Sequence, residues 1–593
     1  MLGFSPWIAL LAIALAALVV RLLPAYDLGR VERVLNSRWA PAVAGVGSGL
    51  LALWLWGSLT RTPVIHDESA YLLQAELFAH FRWTGVAPPV PEFFEQLHVL
   101  VDGVLASKYP PGNSLVLALG VLVGLPGLPV IVMNAVAGAL MFALARHVGG
   151  GAVAVLTWIA WQSSFPMIYY HANYMSESVS GLAWLVTWWG IVRWRNADGR
   201  KWLVVAAGAV AWCMITRPLT GLALGVVALS VVLWRCRATG AWRDLIPAAT
   251  LGALILAIVP LWSWRTTGDM RVMPLTAYTK MYVPFDKPGF ASGRDDRPSQ
   301  RLPRDLLRIQ NAFYREHLHH TLAALPGIAW DRVKMLDRDA FYEWRGGLRL
   351  FALIGLIALS VEGWVVLAAF AAQFALYLTY AHPAWWTMYY VECMPVLAFL
   401  SALGMVRLFG LLFRSGDVVD AAGASNDSRL TRIAAALRRS LTSPANLDSR
   451  RVTAAALLVT AAGLVAGGAV ARQVKSTLRE DHSFYDAFTR LVRQIPDQRA
   501  IVFVRYADKH PDGLSLVRNV PALDRAPVWT VYDRGEDNAR LLALAPERTA
   551  YLFEEKSWTL KPLATRGPQA LSRSKAKPVP DSLRVLQAGQ RRR

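Results

Sequence analysis

Apolar stretches long enough to cross a lipid bilayer recur along most of this chain, and they limit what it can fold into. A helix needs about 20 apolar residues to span the hydrocarbon core. About twelve such spans are predicted, at residues 4–23, 40–59, 126–146, 150–170, 177–194, 201–216, 218–234, 245–264, 347–360, 362–381, 386–410 and 452–472. Of the 593 residues 55% are hydrophobic and 17% charged, which is typical of a multi-pass α-helical membrane protein.

The formal net charge of +21 comes largely from Lys and Arg in the short predicted loops and the tail, so it gives no support to nucleic-acid binding. Basic residues crowd the short loops of one side, which the positive-inside rule assigns to the cytoplasm. They are Arg21, Arg30, Arg33, Arg38, Arg146, Arg193, Arg195, Arg200, Lys201, Arg235, Arg237, Arg243, Arg438, Arg439, Arg450 and Arg451. The other side receives residues 60–125, 265–346 and the region after 472. The first apolar run has no basic segment before it, which predicts an uncleaved span with its N-terminus outside.

The chain divides into six predicted regions. Residues 1–39 hold an extra N-terminal span and a cytoplasmic loop, and residues 40–410 form the main membrane module. A cytoplasmic linker at 411–451 contains a basic amphipathic helix at 430–441, and the last span is 452–472. The runs "AIVFVRY", "PVWTVYD" and "TAYLFEE" alternate with helical patterns in "FYDAFTRLVRQI" and "DNARLLALA", which predicts a small extracytoplasmic α/β domain at 473–561. The tail 562–593 is basic, rich in Pro and Ser, and predicted to be disordered.

The three cysteines indicate neither a disulfide framework nor a metal site. Cys213 and Cys393 fall in apolar segments and Cys236 lies beside basic residues. Their wide spacing matches no metal-ligand pattern.

Two adjacent carboxylates follow the second predicted span, in "TPVIHDESAYLLQAELFAHF" at residues 62–81. Asp67 is a favoured N-cap residue for a helix beginning at Glu68, and Glu68 would suit the helix dipole. An apolar stripe follows at Ala70, Leu73, Leu77 and Phe81, with Gln74 and Glu76 off it, which predicts a helix lying along the bilayer surface. Capping therefore explains one carboxylate, and catalysis is the alternative for both.

A lysine stands before a proline-rich turn in "SKYPPGNSLVLALGVLVG", residues 107–124. Pro110 and Pro111 predict an extended backbone before a half-length apolar helix. Lys108 there could reach toward lipid headgroups or act as a point charge for a phosphate.

Taken in order, these motifs resemble the GT-C membrane glycosyltransferases, and among them bacterial relatives of the protein O-mannosyltransferases and the lipid A aminoarabinose transferase. The resemblance covers roughly residues 40–410. It rests on the Asp-Glu pair and the Lys-Tyr-Pro-Pro-Gly turn, together with "YHANYMSES" (170–178), "MITRPLTGLALG" (214–225), "TTGDMRVMPLTAYTKMYVP" (266–284) and "HPAWWTMYYVECMP" (382–395). Met388 departs from the pattern, because the relatives often have Arg there. If that Arg holds a phosphate or a carboxylate, this chain must use another cation, or its site differs.

The resemblance implies transfer of a sugar from a polyprenyl-phosphate donor to an acceptor hydroxyl of a glycan, glycolipid or protein, at the outer face of a bacterial inner membrane. A carboxylate near the nucleophile can take its proton, and we assign that role to Asp67. Glu68 is predicted to stabilise the oxocarbenium-like transition state, orient the acceptor, or join His66 and Asp67 in holding a divalent cation such as Mg²⁺ or Mn²⁺.

The same comparison implies a donor-binding set. The leaving lipid phosphate needs nearby cations, which predicts a role for Lys108 and Arg217. The remaining predicted substrate-binding residues are Tyr109, His171, Glu177, Tyr390 and Glu392. Glu392 lies inside an apolar run, where a carboxylate needs a partner or a role. Tyr389 and Tyr390 also fit the aromatic belt of a membrane interface.

Two other functions remain open on the sequence. A secondary transporter would have many spans and intramembrane charges, but transporters commonly show two related halves and none is visible here. A ligase or polymerase of lipid-linked glycans, or a non-catalytic scaffold of the same fold, is left open by Met388.

Overall fold

The computed structural model describes residues 7–22, 29–196, 198–293, 295–341, 343–413, 449–497 and 499–563. The predicted amphipathic helix at 430–441 and nearly all of the predicted tail at 562–593 lie outside the described residues. Cys213, Cys236 and Cys393 are buried and carry free thiols.

Helices make up most of the described chain. In chain order they are α1 (Ile8–Leu22), α2 (Gly29–Leu35), α3 (Ala40–Trp56), α4 (His66–Ala79), α5 (Gly112–Leu122), α6 (Leu128–Gln162), α7 (Phe165–Tyr170), α8 (Glu177–Arg195), α9 (Lys201–Met214), α10 (Pro218–Thr239), α11 (Leu245–Leu256), α12 (Ile258–Thr267), α13 (Pro274–Tyr282), α14 (Arg304–His319), α15 (Leu325–Ala340), α16 (Leu348–Ile357), α17 (Val361–Tyr377), α18 (Met394–Leu412), α19 (Ser449–Val492) and α20 (Asn538–Leu544).

The strands are few and short. They are β1 (Val99–Leu100), β2 (Ala106–Ser107), β3 (Ala500–Arg505), β4 (Val528–Tyr532), β5 (Thr549–Glu554) and β6 (Thr559–Pro562). The chain is thus a multi-pass α-helical membrane protein with a small C-terminal α/β region, as the sequence predicts.

The predicted count of about twelve spans is not confirmed. Within the described ranges five helices are long and apolar enough to cross a membrane, or up to six if α2 and α3, bent by 70°, count as one span. Several predicted spans are shorter helices, such as α1 with 15 residues and α9 with 14. Hydropathy marks apolar runs but does not give the length of the helix within them. The break in α6 at Gly150, where φ is 81°, lies at the predicted boundary between the spans 126–146 and 150–170.

Small residues let neighbouring membrane helices approach closely. A Cβ atom at Gly45 of α3 would lie 2.7 Å from the carbonyl oxygen of Ala135 on α6, and one at Gly49 would lie 3.0 Å from the Ala135 methyl. This spacing of four is the small-residue pattern by which helices associate in lipid, where van der Waals contact drives packing.

The chain forms two compact units. The first contains Met1–Ser58, Leu128–Leu256 and Ala323–Val474, and the second contains Leu59–Gly127, Ala257–Leu322 and Lys475–Arg593. The second unit therefore gathers most of the three regions that the charge pattern predicts on one side of the membrane. The chain passes from the first unit into the second within α19, a single helix that contains both the predicted last span and the predicted helix after it.

The second unit contains a four-stranded sheet in the order β4-β3-β5-β6. The central strand β3 pairs in parallel with β4 and β5, and β5 pairs antiparallel with β6. The first five residues of β3, "AIVFV", are all buried. This continuous apolar run is what a strand covered on both faces requires. The three strands and the helix predicted for this region are confirmed.

Candidate active site

Helix α4 begins two residues earlier than the sequence predicts, and Asp67 does not cap it. Its first residue is His66, and the N-cap position belongs to Ile65. Glu68 at the third helical position satisfies the free backbone groups: its Oε2 accepts hydrogen bonds from the backbone N–H of Val64 (2.7 Å) and Ile65 (3.2 Å). Because Glu68 takes over the capping, the Asp67 carboxylate is available for other contacts.

The predicted division of α4 into an apolar stripe and a polar face is wrong, while its position along the bilayer stays a prediction. Ten of the 14 residues of α4 are buried, including Gln74. Gln74 accepts a hydrogen bond from the Ser107 N–H (3.0 Å) and donates one to the Trp83 carbonyl (2.9 Å). Phe81 lies beyond the end of the helix and is 90% exposed. The half-length helix predicted after the Lys-Tyr-Pro-Pro-Gly turn is confirmed as α5.

Asp67 contacts side chains from the loop that follows α4. Its Oδ1 accepts a hydrogen bond from the Tyr109 hydroxyl, and its Oδ2 lies 3.6 Å from Nε2 of His98. The Tyr109 ring stacks on Tyr71 of α4, with 4.5 Å between ring centroids. The Asp67 side chain remains 27% exposed. It is therefore a carboxylate fixed on one oxygen and still accessible.

A short hairpin sets Lys108 opposite His98. Strands β1 and β2 are antiparallel, with Val99 facing Ser107. Next to this pair, at the open end of the hairpin, the Lys108 N–H donates a hydrogen bond to the His98 carbonyl oxygen (2.8 Å). His98 has φ of 68°, a left-handed conformation that costs a non-glycine residue about 1 kcal/mol. Backbone strain of this kind is concentrated at functional sites.

Lys108 is a buried cation with aromatic neighbours. Its Nζ lies 5.4 Å from the Tyr109 ring centroid and 5.0 Å from that of Tyr278. Its carboxylate partner is Asp286, at 3.6 Å. The Tyr278 hydroxyl accepts a hydrogen bond from the His98 N–H (3.0 Å). We call Asp67, His98, Lys108, Tyr109, Tyr278 and Asp286 the Asp67 cluster.

The histidines of this region are neutral at pH 7. Burial, reinforced by the charge of Lys108, holds the pKa of His98 well below its usual value. Burial also lowers the pKa of His66 to about 3, with a further contribution from His98. Among the residues that the structure describes, neither ring nitrogen of His66 has a hydrogen-bond partner. Asp67 and Lys108 therefore stand beside uncharged imidazoles.

The three residues of the predicted metal site have different surroundings. In the ranges that the structure covers, no group of three or more His, Cys, Asp or Glu side chains is placed to hold a metal ion. Glu68 turns back to the backbone before α4 and lies 3.7 Å from Arg61. Because Mg²⁺ is commonly bound by one or two carboxylates together with water and substrate phosphate, dependence on a divalent cation stays a prediction.

The first unit holds a second charged cluster, centred on Arg217. Its Nη1 lies 3.3 Å from Glu177 Oε1 and 3.2 Å from Glu392 Oε1. Glu392 also accepts hydrogen bonds from Ser180 Oγ (2.5 Å) and Gln373 Nε2 (3.0 Å). The two carboxylate side chains are at most 1% exposed. We call these five residues the Arg217 cluster.

The partner that a carboxylate in an apolar run needs is therefore present. Glu392 is buried but paired, as polar groups inside membrane proteins require. The structure brings together three of the predicted donor-binding residues: Glu177, Arg217 and Glu392. Their role in binding substrate stays a prediction.

Other predicted residues of the first unit lie elsewhere in it. The His171 ring is 3.4 Å from Ser178 Oγ. Tyr390 is fully buried, with its hydroxyl 3.3 Å from His382 Nε2, so it does not belong to an interfacial belt. Arg332, which the sequence analysis missed, is fully buried and donates to the backbone carbonyls of Tyr377, Tyr380 and His382.

The sequence analysis also missed His98 and Asp286. A signal for His98 was present, because "HVLVDGVLASK" has Asp102–Gly103 between two apolar runs, the usual mark of a hairpin. Extending that hairpin sets His98 opposite Lys108. For Asp286 no local pattern exists, since it joins Lys108 across 178 positions of sequence.

No protein-family model and no curated protein matches the chain. Among solved structures, it is similar to the crystal structure of ArnT from Cupriavidus metallidurans bound to undecaprenyl phosphate, with 16% identity, 87% of this chain and 93% of that chain covered, and a TM-score of 0.48. The apo form of ArnT matches at 15% identity, 86% and 92% coverage and a TM-score of 0.46.

The cryo-EM structure of the arabinosyltransferase EmbB from Mycobacterium smegmatis matches at 15% identity, 82% of this chain and 44% of that chain, with a TM-score of 0.37. ArnT and EmbB are GT-C membrane glycosyltransferases, the class that the motifs resemble. With every TM-score below 0.5, no residue role is carried over from them to this chain.

Proposed function

We propose that the protein is a membrane glycosyltransferase that moves a sugar from a polyprenyl-phosphate donor to an acceptor hydroxyl, with the Asp67 cluster as its reacting centre. The donor is a lipid-linked sugar, and the acceptor is a hydroxyl of a glycan, glycolipid or protein. The proposal places the protein in a bacterial inner membrane with this cluster on the periplasmic side. The basic short loops support that orientation, because such loops stay in the cytoplasm.

One observation carries the proposal: a single tyrosine holds a carboxylate and an ammonium group together. The Tyr109 hydroxyl donates to Asp67, and the Lys108 ammonium lies 5.4 Å from the centroid of the same ring. Glycosyl transfer from a phosphate donor needs both groups, a base for the acceptor and a cation for the leaving phosphate. An N-cap carboxylate would need neither Tyr109 nor Lys108.

The chemistry follows from this pair. The acceptor oxygen attacks the C1 carbon of the sugar and its proton passes to the Asp67 carboxylate. The bond from C1 to the phosphate oxygen breaks, and its electron pair leaves with the lipid phosphate. Lys108 stabilises that charge, and its ammonium is stronger in this role because it is buried. Glu68 serves the reaction indirectly, by fixing the first turn of α4.

The test is sugar transfer by purified protein in detergent, with a panel of radiolabelled polyprenyl-phosphate sugars and an envelope extract as acceptor. Asp67→Asn keeps the size and can still accept from Tyr109, but it cannot take a proton. Glu76→Gln is the matched control on the same helix. Burial raises the pKa of Glu76 to about 7, so an amide there is a mild change.

We expect transfer by the wild type, a loss of about 10²- to 10⁴-fold in Asp67→Asn, and little change in Glu76→Gln. Transfer that survives in a folded Asp67→Asn variant would remove Asp67 as the base. No transfer by the wild type from any donor would overturn the function itself.

A further inference from the structure

The backbone before α4 is held by the C-terminal part of the chain. Ile65, the N-cap residue of α4, is extended, and its carbonyl accepts the Ser69 N–H of the helix, while the Pro63 and Val64 carbonyls precede the helix and are bound elsewhere. The Pro63 carbonyl accepts from Arg518 Nη2 (2.5 Å), and the Val64 carbonyl accepts from the Tyr485 hydroxyl (2.6 Å). Ile65 pairs with Leu514 in an antiparallel bridge. The N–H groups of Val64 and Ile65 are bound by Glu68, so this short segment is fixed from both sides.

The two donors form one assembly. The Tyr485 hydroxyl also accepts a hydrogen bond from the Ser515 N–H (2.8 Å), and the Arg518 guanidinium lies over the Tyr485 ring at 3.9 Å from its centroid. Tyr485 belongs to α19, while Ser515 and Arg518 belong to the loop between β3 and β4. The helix and the loop thus meet at the residues that hold 63–65.

The loop is itself anchored on its far side. The Tyr506 hydroxyl accepts from the N–H groups of Leu516 (2.8 Å) and Val517 (3.2 Å). Arg308 of α14 donates to the His510 carbonyl (2.6 Å) and to Asp512 (2.6 Å). A loop tied at this many backbone groups can transmit a fixed position to what it contacts.

We infer that Tyr485 and Arg518 are positioning residues for Asp67, so that the C-terminal α/β region takes part in catalysis by fixing the first turn of α4. The inference rests on the proposed function. Asp67 is the second residue of α4, two positions after the bridge at Ile65, so a shift of 63–65 moves its carboxylate. Displacing a catalytic group by about 1 Å can cost 10²-fold in rate.

The test combines two readouts on the full-length protein in detergent. Tyr485→Phe removes the hydroxyl that joins Val64 to Ser515 and keeps the ring under Arg518. The matched control is Tyr551→Phe, which removes a hydroxyl on β5 that is bonded to Asp497. Hydrogen exchange of a peptide covering 62–70 reports the position of the segment, and transfer kinetics report its effect on the reaction.

For Tyr485→Phe we expect faster exchange in 62–70 and a kcat about tenfold lower with KM for the donor unchanged, while Tyr551→Phe matches the wild type in both. Arg518→Lys keeps the charge but loses the planar stack, and serves as the second variant if Tyr485→Phe does not fold. Unchanged exchange in both variants would overturn the positioning. Faster exchange with an unchanged kcat would show that the position of residues 63–65 does not affect catalysis, and would overturn that part of the inference. Absence of transfer by the wild type would count against the proposed function alone, because the exchange readout needs no substrate.

Discussion

The Asp67 cluster and the Arg217 cluster each contain one cation and two carboxylates, but they differ in how many partners bind the carboxylates and how deeply these are buried. Asp67 is bound by one hydroxyl and its side chain is 27% exposed. Glu392 is bound by an arginine, a serine and a glutamine, and its side chain is 0% exposed. This difference in burial and partners supports our proposal that Asp67, and not Glu392, receives the acceptor's proton. On this ground we assign the Arg217 cluster a structural role.

The largest expected effect is on stability, from Arg217→Met. Removing the guanidinium leaves Glu177 and Glu392 buried without it, and breaking a buried ion pair in this way costs about 3–5 kcal/mol. Thermal unfolding in detergent measures the loss. The combined variant Arg217→Met/Glu177→Gln/Glu392→Gln should recover most of it, because no charge is then left uncompensated. Failure of that rescue would contradict the structural role.

Lys108→Met should lower kcat/KM for the donor by about 10²-fold, because the leaving phosphate loses a charge-assisted contact of about 1.5–3 kcal/mol. Lys280→Met is the control, since Lys280 lies on α13 two residues from Tyr278 but is exposed. Initial transfer rates over a range of donor concentrations give the comparison. Equal losses in both variants would mean that the donor is attracted by the overall positive charge of the region and does not depend on Lys108 itself.

Glu68→Ala should lower the free energy of unfolding by about 1–3 kcal/mol, because the buried N–H groups of Val64 and Ile65 lose their acceptor. Asp67→Asn, one residue away, should leave stability nearly unchanged. Chemical unfolding of both variants under the same conditions tests this. A larger loss from Asp67→Asn than from Glu68→Ala would mean that Asp67 is the structural member of the pair.

The smallest expected effect is a pH dependence from Glu95, outside the membrane-spanning helices. Burial raises its pKa to about 7, against the attraction of Arg301 at 3.3 Å. The folded state then holds a proton that the unfolded chain releases near pH 4.5, so stability from this group is present below pH 4.5 and is lost as the pH rises to about 7. Melting temperatures from pH 5 to 8 should fall less steeply in Glu95→Gln than in the wild type. Parallel profiles would contradict the raised pKa.

The sequence predicted the fold class and part of each cluster, namely Asp67, Lys108 and Tyr109 of the first and Glu177, Arg217 and Glu392 of the second. Apolar runs and strand patterns follow from local composition, and so the membrane helices and the strands β3 to β5 were found. The N-cap assignment of Asp67 failed because Glu68, three residues after Ile65, competes for the same backbone groups. His98 and Asp286 were missed because tertiary contacts join them to Asp67 and Lys108. The break at Gly150 inside α6 lies at the predicted boundary between the spans 126–146 and 150–170, whereas the short lengths of helices such as α1 and α9 were not predicted.

The most direct measurement of the central claim compares sugar transfer per folded molecule in Asp67→Asn and Glu392→Gln. Both variants change one carboxylate to an amide, one in each cluster. The account predicts a loss of about 10²-fold or more in Asp67→Asn and a rate within a few-fold of the wild type in Glu392→Gln. Transfer that is retained in Asp67→Asn and lost in Glu392→Gln would contradict it and move the reacting carboxylate to the Arg217 cluster.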